Sequence, residues 1–179
     1  MRLVLVLALV ACGGRPAVRA PAAMVRSEVE LAETAERARK HDVARVHYER
    51  AIALATDPAS GAYARREFAE TLATWGEVPA AITHLERSVA LVGDDAAAWH
   101  DLGILKHNQG DMPGATTALE RAKTLAPEDF RPRIALAALR WKTGDTPGAV
   151  TEYKALLDLE LPDRLRTKVK WALDQLAKQ

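Results

Sequence analysis

Three copies of one short phrase stand at equal spacing in this chain. They are Gly76-Glu77-Val78-Pro79-Ala80-Ala81, Gly110-Asp111-Met112-Pro113-Gly114-Ala115 and Gly144-Asp145-Thr146-Pro147-Gly148-Ala149, each 34 residues after the last. A fixed period of that size means stacked supersecondary units, each too small to bury its own apolar face. Around the phrases, apolar residues recur three and four apart, as in Leu85, Val89 and Val92 or Leu119, Ala122 and Leu125, which is the spacing of one buried helical stripe. Within the phrases, Gly110 and Gly144 suit the left-handed backbone that closes a helix, and Asp111 and Asp145 are placed to cap the next one. Pro113 and Pro147 then fall in a first helical turn, where a missing N–H costs little. The expected chain is all-α and built from helix-turn-helix repeats.

The clearest copy runs over residues 96–129. Trp99, Leu102 and Gly103 stand in its first half, and Ala115, Leu119, Ala122 and Pro127 in its second. This resembles the tetratricopeptide repeat, whose pattern is W-x2-L-G, then A-x3-F, then P; Lys106 stands where an aromatic is usual. Residues 130–163 give Leu136, Ala137, Ala149, Tyr153 and Pro162 in register, and residues 62–95 give Phe68, Ala69, Ala81, Leu85 and Ser88. A weaker copy over 25–58 has Leu31, Ala32, Ala44, Tyr48, Ala51 and a late Pro58, with Arg39 in place of the turn glycine. Tyr48 to Leu85 is 37 residues where the next two intervals are 34, so Ala59-Ser60-Gly61 is expected as an insertion between repeats. The resemblance implies a right-handed α-solenoid of about four repeats forming one domain, 25–179. Residues 164–179, with Leu165, Val169, Ala172, Leu173 and Leu176 on one side, are expected to be a capping helix, because a solenoid must cover its last apolar face.

At the other end, Met1-Arg2 and the apolar run Leu3 to Ala11 are far shorter than the roughly 20 residues that span a bilayer. Residues 1–11 look like a secretory signal peptide. Leu9-Val10-Ala11-Cys12 resembles the lipobox of bacterial lipoproteins, and Cys12 is the only cysteine, with no disulfide partner. The resemblance implies that Cys12 carries acyl chains holding the protein to a membrane. Gly13 follows it, not the Asp of inner-membrane retention, which implies the periplasmic leaflet of the outer membrane in a bacterium with two membranes. Residues 12–24, with Pro16 and Pro21, are expected to be a flexible tether reaching at most about 40 Å.

No phosphate-binding loop, H-E-x-x-H, paired-cysteine or G-x-S-x-G pattern occurs, so the expectation is no enzyme and no cofactor. A formal net charge of +1, with Lys and Arg spread among Asp and Glu, argues against nucleic acid, which needs a concentrated basic surface. His100 and His107 share a helix face and with Glu70 offer a possible metal set; polar lining is the plainer account of them. Tetratricopeptide proteins bind along the first helix of each pair. By register this implies Arg26, Val29, Glu33, Glu36 and Arg37, then Tyr63, Arg66, Glu70, Ala73 and Thr74. It continues through Ala97, His100, Ile104, His107 and Asn108 to Arg131, Ile134, Ala138, Trp141 and Lys142. The Lys/Asn clamp with which some members hold a C-terminal carboxylate is absent, since Val29, Glu33, Glu67, Ala97 and Asp101 occupy its positions. Ile104, Ile134 and Trp141 are candidate anchors, and Ile134 is equally well explained by packing. The expected function is a membrane-anchored periplasmic scaffold docking a protein partner of an envelope machine: a pilus or secretion channel, outer-membrane biogenesis or cell-wall synthesis. The alternative is a carrier of a small ligand or metal.

Overall fold

The computed structural model describes residues 21–178. The expected signal peptide and Cys12 lie outside them. Helices α1 (Pro21–Arg37), α2 (His41–Leu54), α3 (Pro58–Thr74), α4 (Val78–Leu91), α5 (Ala96–Asn108), α6 (Met112–Leu125), α7 (Phe130–Lys142), α8 (Thr146–Leu157) and α9 (Asp163–Leu176) follow one another, with no strand among the described residues. Each odd helix packs on the even helix after it, and each even helix on the next odd one. The result is the α-solenoid of helix pairs. Helix α1 starts at Pro21, so the last four residues of the expected tether are helical.

The same joint closes all four pairs. In each, the residue directly after the left-handed position donates its N–H to the carbonyl five residues back: Lys40 to Ala35, Glu77 to Leu72, Asp111 to Lys106 and Asp145 to Arg140, at 2.8–2.9 Å. That geometry demands a left-handed residue, supplied by Gly76, Gly110 and Gly144 at φ 83°, 86° and 84°. In the first pair Arg39 adopts φ 56° instead, a conformation costing an L-residue about 1 kcal/mol. The next helix is then capped in the two later joints only. Asp111 accepts from the N–H of Gly114 and Asp145 from that of Gly148, both at 2.9 Å. A Cβ on Gly114 or Gly148 would lie 2.0 Å from the capping carboxylate, so cap and glycine require each other. Ala80 and the non-capping Glu77 break both halves of that rule together.

The insertion does not stand between repeats. Pro58 is the first residue of α3, capped by Asp57, and Ala59-Ser60-Gly61 form its first turn. Proline is favoured at that position because its absent N–H has no helical partner there, so Pro58 opens the second pair and does not close the first. Helix α3 is accordingly 17 residues long, against 13 for α5 and α7. Within pairs, small residues set the approach: a Cβ on Gly103 would come 2.6 Å from Leu119 Cγ. At the C-terminal end, Val169, Ala172 and Leu176 of α9 are buried with Leu156 and Leu161 in one cluster, while Lys168, Lys170 and Lys178 face water. Arg166 donates to the carbonyls of Leu157 and Leu159 at 3.1 Å, satisfying the end of α8.

Candidate binding groove

Helices α1, α3, α5 and α7 form the inner row of the stack. Helix α1 touches α3 and α5 touches α7, but α3 and α5 hardly meet, and a trough of about 680 Å3 opens between them. Its α3 wall is Arg66, Ala69, Glu70, Ala73 and Thr74; its α5 wall is Ala97, His100, Asp101, Ile104 and Leu105. Leu85 of α4 lies at the base and Arg131 of α7 closes one side. Eight residues assigned to the groove by register, Arg66, Glu70, Ala73, Thr74, Ala97, His100, Ile104 and Arg131, thus come together. Small Ala73 and Ala97 leave the space, because no side chain there reaches across.

The cations of the trough are engaged by neighbours on its rim. Arg66 pairs with Glu67 at 2.9 Å and Asp95 at 3.2 Å. Arg131 forms a forked contact with Asp129, whose nearest approach is 2.7 Å, and that pairing holds the Asp129 carboxyl below its usual range. His100 Nδ1 lies 3.0 Å from Asp101. Glu70 makes no side-chain hydrogen bond or ion pair among the described residues, and its carboxyl is pushed up, first by burial and then by the charges of Glu67 and Asp101. Glu70 and Thr74 also line a second, smaller hollow toward α1, with Glu33, Glu36, Glu67, Tyr48 and Thr71. There Thr71 donates to Glu36 at 3.1 Å and lies 2.9 Å from the Tyr48 hydroxyl, whose pKa burial raises to about 12.

Other assigned residues stand apart from the trough. Tyr63 lines a separate hollow of about 300 Å3 with Arg26 and Asp57. His107 sits between Asn108 and Lys142, each at 3.4 Å from a ring nitrogen. Trp141 is half-buried, edge-on to Tyr153 and tilted against Trp171 of α9, both with centroids 6.3 Å away. Val29, placed in the groove by register, is fully buried instead, since it shares the stripe of Val25 and Ala32 that packs inside the first pair. Among the described residues no three His, Cys, Asp or Glu groups converge to hold a metal, so Glu70 does not complete a set with His100 and His107. No helix of the described residues is long and apolar enough to cross a membrane. Register alone missed Ala69, Leu85, Asp101 and Leu105 of the trough, which lie on or beside the packing stripe and carry no signal of their own in the sequence.

The class these features define is an α-solenoid of tetratricopeptide-type helix pairs with an open inner trough. No family model matches the chain and no curated protein matches its sequence. Solved structures do. The crystal structure of MamA aligns at a TM-score of 0.67 with 24% identity over 75% of this chain and 77% of that one. PilF of Pseudomonas aeruginosa aligns at 0.68 with 20% identity over 87% and 68%. The APC/C hetero-tetramer Cut9–Hcn1 aligns at 0.67 with 17% identity over 86% of this chain and 30% of its own. At such identities the likeness establishes the fold.

Proposed function

We propose that this chain is a non-catalytic scaffold, anchored to a membrane through Cys12 and holding a segment of a protein partner in the trough between α3 and α5. The observation that carries the reading is the trough itself. It is open along its length, based on Leu85, walled by Ala73, Ala97, Ile104 and Leu105, and rimmed with charge. An open, apolar-based channel buries part of a passing chain, whereas a small molecule needs enclosure on most sides. Anchoring rests on Leu9-Val10-Ala11-Cys12, and Gly13 favours the periplasmic leaflet of an outer membrane. The work proposed is assembly or positioning of an envelope machine, of the pilus or secretion, outer-membrane biogenesis or cell-wall class. The small-ligand or metal carrier has no gathered ligand set to favour it.

Crosslinking in intact envelopes tests both parts. Ile104→Glu places a charge in the apolar wall and is expected to abolish partner crosslinks while helicity by circular dichroism stays unchanged. Cys12→Ser is expected to move the protein out of the membrane fraction or to leave an uncleaved precursor. Wild-type protein found soluble with residues 1–11 intact overturns the anchor, and unaltered crosslinks in Ile104→Glu overturn the groove.

A further inference from the structure

We infer that the segment seated in this trough carries a lysine or arginine, held by Glu70, and a few positions along the chain an apolar side chain seated against Ile104. This rests on the groove reading above and specifies its ligand. The reasoning begins with charge. Each arginine on the trough's walls already has an acid, Arg66 with Glu67 and Asp95 and Arg131 with Asp129, and the His100 ring lies against Asp101. An acidic side chain from a partner would find no free cation and would meet Glu70, Glu67 and Asp101. A basic one finds the Glu70 carboxylate with no partner of its own among the described residues. Beyond Glu70 the hollow shared with α1 is lined by Glu33, which pairs with Arg37, by Glu67, which pairs with Arg66, and by Glu36, which adds a second carboxylate with no cation among the described residues.

Geometry sets the spacing. Glu70 lies on α3 and Ile104 on α5, on facing walls of the same trough. Neighbouring helix axes in packed proteins stand about 10 Å apart, and an extended chain advances about 3.3 Å per residue. Because α3 and α5 hardly meet, that distance is a lower bound, and a peptide crossing the trough presents its basic and apolar residues at least about three positions apart. The apolar residue displaces water from Ala73, Ala97, Ile104 and Leu105, which supplies affinity; the cation fixes polarity and register. The aromatic pair Trp141 and Trp171 lies outside this trough and is not part of the proposal.

The test is a peptide selection against the full chain in detergent, using a random twelve-residue display library, with Glu70→Lys, Glu70→Gln and Ile104→Glu screened in parallel. Wild type is expected to enrich peptides with Lys or Arg at least about three positions from Leu, Ile, Met or Phe. Individual peptides are expected to bind Glu70→Gln about tenfold more weakly, the size of one lost charged hydrogen bond. Glu70→Lys is expected to enrich Asp or Glu at the basic position. Enriched peptides that depend on Ile104 but show no basic preference, or the same preference with Glu70→Lys, overturn this inference and leave the groove reading standing. Peptides indifferent to Ile104→Glu, or none at all, overturn both.

Discussion

The two halves of the stack are held together by opposite chemistry. Between the first and second pairs the contacts are aromatic: Tyr48 of α2 stacks on Phe68 of α3 at 4.9 Å, Phe68 meets His84 of α4 edge-on at 4.8 Å, and His41 stacks on Trp75 at 4.6 Å. Arg45 lies over both the Trp75 and Phe68 rings, at 5.4 and 5.9 Å. Between the third and fourth pairs the centre is ionic. Glu152 of α8, buried to 4% exposure, takes Lys123 of α6 at 2.9 Å and Arg133 of α7 at 3.2 Å, with Arg140 at 3.8 Å. Glu120 joins the same network through Lys123 and Arg140. The joints divide the same way: Lys40 and Glu77 give no side-chain cap, while Asp111 and Asp145 do. The half with poorer joints is held by stacked rings, and the half with capped joints tolerates charge inside, while one buried apolar cluster runs from α1 into α6.

Removing one ring should cost most. Phe68→Ala takes away a side chain touching Tyr48, His84 and Arg45, and a loss of about 3–5 kcal/mol in chemical denaturation is expected. Because repeats contact only their neighbours, hydrogen exchange should then speed up in α1 to α4 before α7 to α9. Uniform acceleration would show that the halves unfold as one.

Glu152→Gln keeps the shape but leaves Arg133 with no acid among the described residues, while Lys123 and Arg140 keep Glu120, with an expected cost of about 3 kcal/mol. Its exchange pattern should be the mirror image, faster in α6 to α8. If it matches that of Phe68→Ala, the ionic centre is not local to its half.

Acid should separate the halves more gently. His84 is held at a pKa of about 4, first by burial and then by Arg65, Arg87 and Arg45, and its Nδ1 has no partner. An unfolded histidine takes its proton near pH 6.5, so between 6.5 and 4 the unfolded chain binds more protons and stability falls as pH falls. The slope is at most about 1.4 kcal/mol per pH unit and smaller for a half-buried ring. Melting temperatures of wild type and His84→Gln between pH 7 and 4.5 should converge as the wild type loses this contribution; parallel curves would remove His84 as the cause.

The smallest effect has the opposite sign. Arg39→Gly relieves the left-handed strain in the first joint and should raise stability by about 0.5–1 kcal/mol, whereas Gly110→Ala should lower it by a similar amount. A neutral or harmful Arg39→Gly would mean that the arginine side chain contributes what its backbone loses.

Much of this was legible in the chain. The 34-residue phrase located three joints, and Asp111 and Asp145 announced their caps, because local chemistry alone decides them. Register also put Arg66, Glu70, His100, Ile104 and Arg131 on one inner face. Long-range partners were not legible. Glu152 resembles any wet helix residue until three cations from other helices converge on it, and Val29 resembles a groove position until α1 is seen packed inside its pair. Pro58 serves equally well as the end of one repeat or the first residue of the next helix, and only the cap from Asp57 decides.

The gap between α3 and α5 has a mechanical consequence. The inner row meets at α1–α3 and α5–α7 but hardly at α3–α5, so the second and third pairs are joined through α4 and α5, and the apolar cluster that runs from α1 into α6 crosses beneath the trough. A segment wedged there would brace the missing contact and fix the curvature of the whole arc.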